Sequence, residues 1–303
     1  MRILITGGAG FIGSHVAFEY FKKGYEVAIV DEKEELHLPK DLLGNVTYFQ
    51  ADITSPDIAR VFTVFKPQVV NHHAAKINVE ESFNKPATYS KTNMFGTVKL
   101  LELCNLHSVS QFIFASSVAV YGDTEHLPIK ESEGLNPKSL YGLNKYCAEK
   151  YIGFLSNRMT TTIFRYANVY GPRQNSSAEG GVVAIFAQKL AVEEPITIYG
   201  DGKQTRDFVY VKDVARANVL ATEKEARGTI HISTCKETSA NDLLAKMVGI
   251  AKVKPIVTYK PSREGDIRKS VLDNSKAKRC LSWKPDYSLN QGLQETLNYF
   301  SNL

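Results

Sequence analysis

TGGAGFIG, residues 6–13, stands between the apolar run RILIT (residues 2–6) and the amphipathic stretch FIGSHVAFEYFKKG (residues 11–24). A strand, a glycine turn and a helix in that order form a phosphate-binding arrangement. Gly7 permits the tight turn, Gly10 lets a ligand approach the backbone, and Gly13 allows close helix packing, while the helix N-terminus presents free N–H groups to a pyrophosphate. A merely tight strand-to-helix turn is the structural alternative. Asp31, eighteen residues past Gly13 at the end of EVAIVD, supplies the context that favours a dinucleotide. Its carboxylate would accept hydrogen bonds from the adenosine ribose hydroxyls and repel a 2′-phosphate, so the expected cofactor is NAD. Lys33 lies within the acidic run Asp31, Glu32, Glu34 and Glu35, read as a solvated loop that disfavours a phosphate. Asp52 and Ile53, ending the third strand, are placed to meet the adenine, although an aspartate there is also a common turn cap.

Outward from that unit the pattern repeats. EVAIVD, VTYFQAD, QVVNHH, QFIFASS and TTIFRYANVYG are apolar, β-branched runs separated by helical segments such as TNMFGTVKLLELC. Continuous apolar strands alternating with amphipathic helices predict an α/β fold, a doubly wound parallel (Rossmann) sheet covered on both faces. Beyond about residue 168 the rhythm loosens into a Gly/Ser/Asn loop, the helix VVAIFAQKLA, the short strand ITIYG and helices near 238–250 and 288–302. The expected organisation is a cofactor unit over 1–168, with segments near 205–233 returning to it. A smaller, loop-rich substrate-binding domain is expected mainly over 169–303.

The 303-residue chain carries a net charge of +5, 43% hydrophobic and 23% charged residues, the composition of a globular protein. Its lysines and arginines are scattered without the stripe that nucleic acid requires, so neither DNA nor RNA is expected as a partner. Cys104, Cys147, Cys235 and Cys280 form no CxxC pair, which suggests neither zinc nor a disulfide framework. No apolar run reaches membrane-spanning length and MRILITGG lacks the features of a signal peptide. A soluble, cytoplasmic protein without a metal is expected.

Tyr141 and Lys145, in SLYGLNKYCAEK (residues 139–150), share one helical face at i and i+4. Alone, that spacing is also a solvated helix face. Several further motifs follow in order: NHHAA, NMFGT, SSVAVYG, YGLNK, RYANVYGPRQ, IYGDGKQTRDFVYVKDVA and REGDIRKS. Together with TGGAGFIG they span essentially the whole chain, which resembles the extended short-chain dehydrogenase/reductases of the NAD-dependent epimerase/dehydratase group, most closely their sugar-nucleotide 4-epimerases.

The resemblance implies interconversion of UDP-galactose and UDP-glucose through a transient 4-keto sugar, with NAD retained through the cycle. It makes Tyr141 the base, Lys145 a ligand of the nicotinamide ribose, and Ser117 a hydrogen-bond partner of the reacting sugar oxygen. An adjacent lysine charge would also lower the phenol toward working pH. Phe11, Ile12, Lys33, Ala74, Ala75, Lys76 and Asn93 join the cofactor contacts by the same resemblance. Asn168, Val183, Arg206 and Arg263 fall on the substrate side, the arginines suited to a diphosphate. Asp266 would take the uridine ribose and Tyr199 flank the uracil, although a strand aromatic is also a core residue and each arginine could be a surface ion pair.

Departures are informative. His73 and Lys76 replace commoner residues of the group, and Asn144 replaces a serine between Tyr141 and Lys145. Related dehydratases carry an Asp-Glu pair after the strand-end Ser or Thr and decarboxylases a glutamate; Val118 and Ala119 stand here, so the chemistry should stop at epimerisation. Ser270 occupies a position that is a bulky tyrosine in some relatives and would leave room for an N-acetyl group. The alternatives are an epimerase for UDP-N-acetylhexosamine or another sugar nucleotide, and a nucleotide-binding regulator without turnover. A homodimer pairing the helices near 91–106 and 139–157 is also implied.

Overall fold

A computed structural model describes residues 1–34, 38–156, 159–177, 180–262 and 267–303. Six apolar runs form strands β1 (Arg2–Thr6), β2 (Glu26–Asp31), β3 (Thr47–Gln50), β4 (Val69–His72), β5 (Gln111–Ser117) and β6 (Thr160–Tyr166). With Gly228–Ile232 they make a seven-stranded sheet in which β1 lies between β2 and β4, and Gly228–Ile232 forms the edge beside β6. Every pairing in this sheet is parallel.

Side-chain alternation explains the two layers. Ile3 and Ile5 join Val16 and Tyr20 of the helix Phe11–Lys22 and Val214 of the helix Val211–Glu223, forming the core on one face. Leu4, Val70, Phe112 and Phe114 point the other way, toward Phe62, Leu100 and Ile152 of the helices Ile58–Phe65, Gly96–Leu106 and Leu140–Leu155. Both faces of β4 are dry along its whole length, which is why the strands read as unbroken apolar runs.

TTIFRYANVYG is not one strand. It breaks at Ala167, and Asn168–Tyr170 leaves the large sheet to pair with Phe208–Tyr210. The third core gathers Tyr170, Val183, Phe186, Leu190, Leu243 and Leu297 from the C-terminal half, with Phe11 and Ile12 packed against it. TNMFGTVKLLELC also differs from a plain helix, since a π-turn over Lys91–Phe95 precedes Gly96–Leu106. The helices Val79–Asn84, Pro86–Ser90 and Ser275–Leu281 carried no strong periodic signal because each is at most two turns long. Among the described residues no helix is long and apolar enough to cross a membrane.

Candidate active site

The glycine turn is set by close backbone packing. Gly7 has φ of +66°, and a Cβ there would stand 2.6 Å from the Ala74 nitrogen; a Cβ on Gly13 would stand 2.2 Å from the Gly7 carbonyl oxygen. Gly10 caps the following helix with no side-chain hydrogen bond, and no acidic residue lies in its first turn. The opening N–H groups therefore keep their affinity for an anion. Asp31 accepts from Ala9 N at 3.0 Å and Lys33 N at 3.3 Å through different carboxylate oxygens, leaving lone pairs on both for ribose hydroxyls. This donor and acceptor set fits NAD.

A hydrogen-bond chain ties the strand ends beneath that turn. Ala74 N donates to Thr6 Oγ1 at 3.3 Å, and Thr6 Oγ1 lies 2.6 Å from His72 Nδ1. His72 Nε2 lies 2.9 Å from Thr97 Oγ1, which gives its own proton to Asn93 O at 2.8 Å. The order fixes a neutral His72 protonated on Nε2, in keeping with a pKa held well below the usual histidine range by burial. Asn93 then clamps Lys76, accepting from its N–H and donating to its carbonyl, both at 2.8 Å. His73 stacks on Tyr166 with ring centres 6.3 Å apart. Its two ring nitrogens are buried and make no hydrogen bond of normal geometry, and burial, then the Lys145 charge, push it down to about 3 against the opposing influence of nearby Asn218.

Asp52 and Ile53 are fixed by the strand end itself. The Asp52 carboxylate accepts from Thr54 N and Oγ1, each at 2.8 Å, as a turn cap. Ile53 is buried in the core, where a Cβ on Gly96 would lie 2.6 Å from its Cδ1.

Ser139 caps the helix Leu140–Leu155 by accepting from Gly142 N at 3.0 Å, which puts Tyr141 in the first turn. Gly142 lets the helix abut the 3₁₀ turn Val118–Val120, and Ser90 Oγ donates to Asn144 Oδ1 at 3.1 Å. The serine replacement at Asn144 is thus an anchor. Ser117 Oγ accepts from Ala119 N at 3.2 Å, leaving its own proton to donate, and it acts on Tyr141 as the hydrogen-bond partner that favours phenolate. Lys145 Nζ donates to Ala115 O at 2.7 Å and lies 4.7 Å from the Phe114 ring centre.

One expectation is corrected here. Burial raises Tyr141 despite Ser117, and it lowers Lys145 to about 7 despite the opposing pull of Glu149. Desolvation penalises the charged form of both groups. Lys145 spends its charge on Ala115 O and Phe114, so Tyr141 is not lowered in the protein alone.

The residues expected on the substrate side lie on short strands. Thr205–Arg206 pairs with Lys269–Ser270, setting Arg206 opposite Ser270, and Asn168 N donates to Asp207 O at 2.9 Å. Arg206 Nη1 donates to Thr205 O at 2.8 Å, and Ser270 is buried. Tyr199 ends the strand Ile196–Tyr199, its carbonyl accepting from Gln204 Nε2 at 2.9 Å. Val183 turns its side chain into the third core. Arg263 and Asp266 lie outside the described residues.

Asp207 was missed. Its carboxylate accepts from Thr234 N at 2.9 Å, Thr234 Oγ1 at 2.6 Å, Cys235 N at 3.0 Å and Leu272 N at 3.4 Å, so it locks Arg206 and the strand of Ser270 into one unit. The segment after Ser117 reaches the same strand, with Ile129 N donating to Val271 O at 2.9 Å and accepting at its carbonyl from Asp273 N at 2.8 Å. The acidic residue after TR was a detectable signal, since a buried carboxylate needs such partners.

Similarity to known proteins agrees with this geometry. Residues 3–233 match the NAD dependent epimerase/dehydratase family. The chain is 35% identical over 311 residues to the UDP-glucose 4-epimerase of Mycolicibacterium smegmatis, covering 100% of this chain and 99% of that one. It superimposes on the crystal structure of UDP-glucose 4-epimerase with UDP-glucose from Thermotoga maritima with a TM-score of 0.94 and 41% identity, covering 100% and 99% of the two chains. The UDP-N-acetylglucosamine 4-epimerase of Methanobrevibacter ruminantium, in complex with UDP-N-acetylmuramic acid, gives a TM-score of 0.93 at 32% identity over 99% and 98% of the chains. With its glycine turn, Asp31 and the Ser117, Tyr141 and Lys145 set on a doubly wound sheet, the chain belongs to the NAD dependent epimerase/dehydratase family, enzymes whose cofactor is NAD.

Proposed function

We propose that the protein is a UDP-hexose 4-epimerase that interconverts UDP-galactose and UDP-glucose through a transient 4-keto sugar. The observation that carries this reading is Ser117 beside Tyr141 and Lys145 at the end of β5, followed by Val118 and Ala119 where an elimination or decarboxylation would need a carboxylate. NAD, when bound, supplies hydride acceptance and return at C4 and, in its oxidised form, a positive charge that favours phenolate.

The chain's own residues do the rest. Tyr141 takes the C4 hydroxyl proton and later gives it back, with Ser117 Oγ–H holding the sugar oxygen. Lys145 orients the nicotinamide ribose, and the helix opening at Phe11 and the clamp between Asn93 and Lys76 shape the pyrophosphate side. Asn168, Arg206 and Ser270 line the substrate, its diphosphate lying toward Arg206 and Val183 and the base toward Tyr199. Arg263 and Asp266 complete the nucleotide handle in this reading.

A second substrate has specific support. Ser270 is small and buried opposite Arg206, so the reading extends to N-acetylated hexosamines. The unpaired cysteines support a reducing, cytoplasmic setting. Phe95, Leu106, Leu143 and Phe154 are exposed on the helical segments at 91–106 and 140–155, which supports a homodimer through that face.

The test is to incubate the purified protein with NAD and either UDP-galactose or UDP-N-acetylgalactosamine and follow the anomeric protons by NMR. The gluco epimer in the first tube is expected, and in both if the Ser270 pocket is open. No conversion of either by folded, NAD-retaining protein sinks the UDP-hexose reading and favours another sugar nucleotide or a nucleotide-binding regulator.

A further inference from the structure

Lys145 is almost wholly withdrawn from water, and the titratable groups facing it come from two elements, β4 and its own helix. His72 and His73 stand at the end of β4, Tyr141 one turn earlier on the same helix and Glu149 one turn later. Burial keeps both histidines neutral, with the Lys145 charge as the second cause. Tyr141 is a neutral phenol. Glu149 is the carboxylate of this set.

Its carboxylate is held from three directions. Arg165 Nη2 donates to Oε2 at 2.6 Å and Nε to Oε1 at 3.0 Å, while Ser116 Oγ donates to Oε1 at 2.5 Å. Arg165 in turn gives Nη1 to Tyr121 OH at 2.6 Å, and its guanidinium lies 4.9 Å from the centre of that ring. Tyr121 OH meets His231 Nε2 at 2.6 Å. The set joins β5, β6, the helix of Tyr141 and the edge strand Gly228–Ile232. A buried ion pair contributes little stability over well-packed apolar residues of the same volume, so its placement needs another reason. Ser116 precedes Ser117 directly and Glu149 follows Lys145 by one turn, so the pair grips both ends of the reactive set.

We propose that Arg165 and Glu149 are positioning residues: the guanidinium and Ser116 fix the Glu149 carboxylate one helical turn behind Lys145, on the same helix, so that it faces the lysine ammonium. The inference rests on the reaction proposed above for its consequence in turnover, while the charge of Lys145 can be read without turnover. Glu149 raises Lys145 toward its charged form. Arg165 holds Glu149 in place through its two parallel hydrogen bonds.

The experiment uses NAD-loaded protein with ¹³Cε-labelled lysine, the Lys145 resonance being identified by its loss in Lys145→Met. In Glu149→Met/Arg165→Met, which removes both charges at similar volume, the Lys145 titration midpoint should fall by about one pH unit, and the alkaline limb of kcat should move the same way. Arg165→Lys, which preserves the cation, should hold the midpoint near the wild-type value. An unshifted midpoint in the folded double variant overturns the proposal. If that variant does not fold, Glu149→Gln/Arg165→Gln is read by the same criterion. Wild-type protein inert toward every sugar nucleotide would sink the epimerase reading, while the NMR midpoint would still decide the role of the pair.

Discussion

The Cβ that Gly142 lacks would stand 2.5 Å from the carbonyl oxygen of Ala119. That approach seats the reactive helix against the turn that follows Ser117, so the distance between Tyr141 and Ser117 depends on a missing methyl group. Gly142→Ala should improve the helix locally by about 1 kcal/mol, yet force the helix off the turn at a cost of about 1–3 kcal/mol. The expected result is a kcat lowered about ten- to hundredfold, with KM for the sugar nucleotide little changed. Wild-type kcat in the folded variant would show that the helix tolerates displacement.

Tyr141→Phe should lower kcat by about 10²–10⁴-fold without affecting folding. Retention of NAD, followed by absorbance after gel filtration, should be intact. Undiminished epimerisation would move the proton transfer to another group.

Stability should fall as the solution is acidified below pH 6.5. His15 and His73 are pushed down to about 3, His231 to about 4 and His72 well below 6.5, all chiefly by burial. The unfolded chain therefore protonates them first, and the stability they contribute is present above 6.5 and lost as pH falls. Asp207, raised to about 6, and Asp213, also raised by burial, oppose them above the ordinary aspartate range, two protons against four. The net slope should be about 3 kcal/mol per pH unit between pH 4 and 6. Urea midpoints that do not fall between pH 7 and 5 would contradict these burials.

Substitution at Ser270 should separate the two proposed substrates. Ser270→Tyr fills the space opposite Arg206, so conversion of UDP-N-acetylgalactosamine should drop at least about tenfold relative to UDP-galactose. Equal losses on both would place the sugar's C2 side elsewhere.

Phe154, at 78% exposure, is the most open of the apolar residues on its helix. In analytical ultracentrifugation the wild type should sediment as a dimer, and Phe154→Glu together with Leu143→Glu should give a monomer. A monomeric wild type would assign that face to another partner.

The doubly wound sheet was legible because buried parallel strands leave apolar runs that survive without context, and the glycine turn because its backbone geometry excludes other residues. Tyr141 and Lys145 were legible from spacing, but their electrostatics were not. Spacing reports which face a side chain shares, whereas Lys145 aims at Ala115 O, a contact set by β5. The break at Ala167 was hidden inside an unbroken β-branched pattern, since leaving one sheet for another requires no change of periodicity. Glu149 and Arg165 looked like ordinary charged residues, sixteen positions apart, and their burial is a property of the assembled sheet. Gly142 left a readable trace, a glycine inside a helix beside a reactive tyrosine, which is uneconomical unless something must come close.

Asp31 carries a constraint for anyone seeking to redesign cofactor choice. Its carboxylate holds Ala9 N, so the residue expected to face the ribose is also a loop tether. Replacing it by a neutral or basic residue to admit a 2′-phosphate would also release the turn that cradles the pyrophosphate. A working switch would have to supply a new acceptor for Ala9 first and a phosphate ligand second, in that order, and single-site exchange should yield a weaker binder of both cofactors.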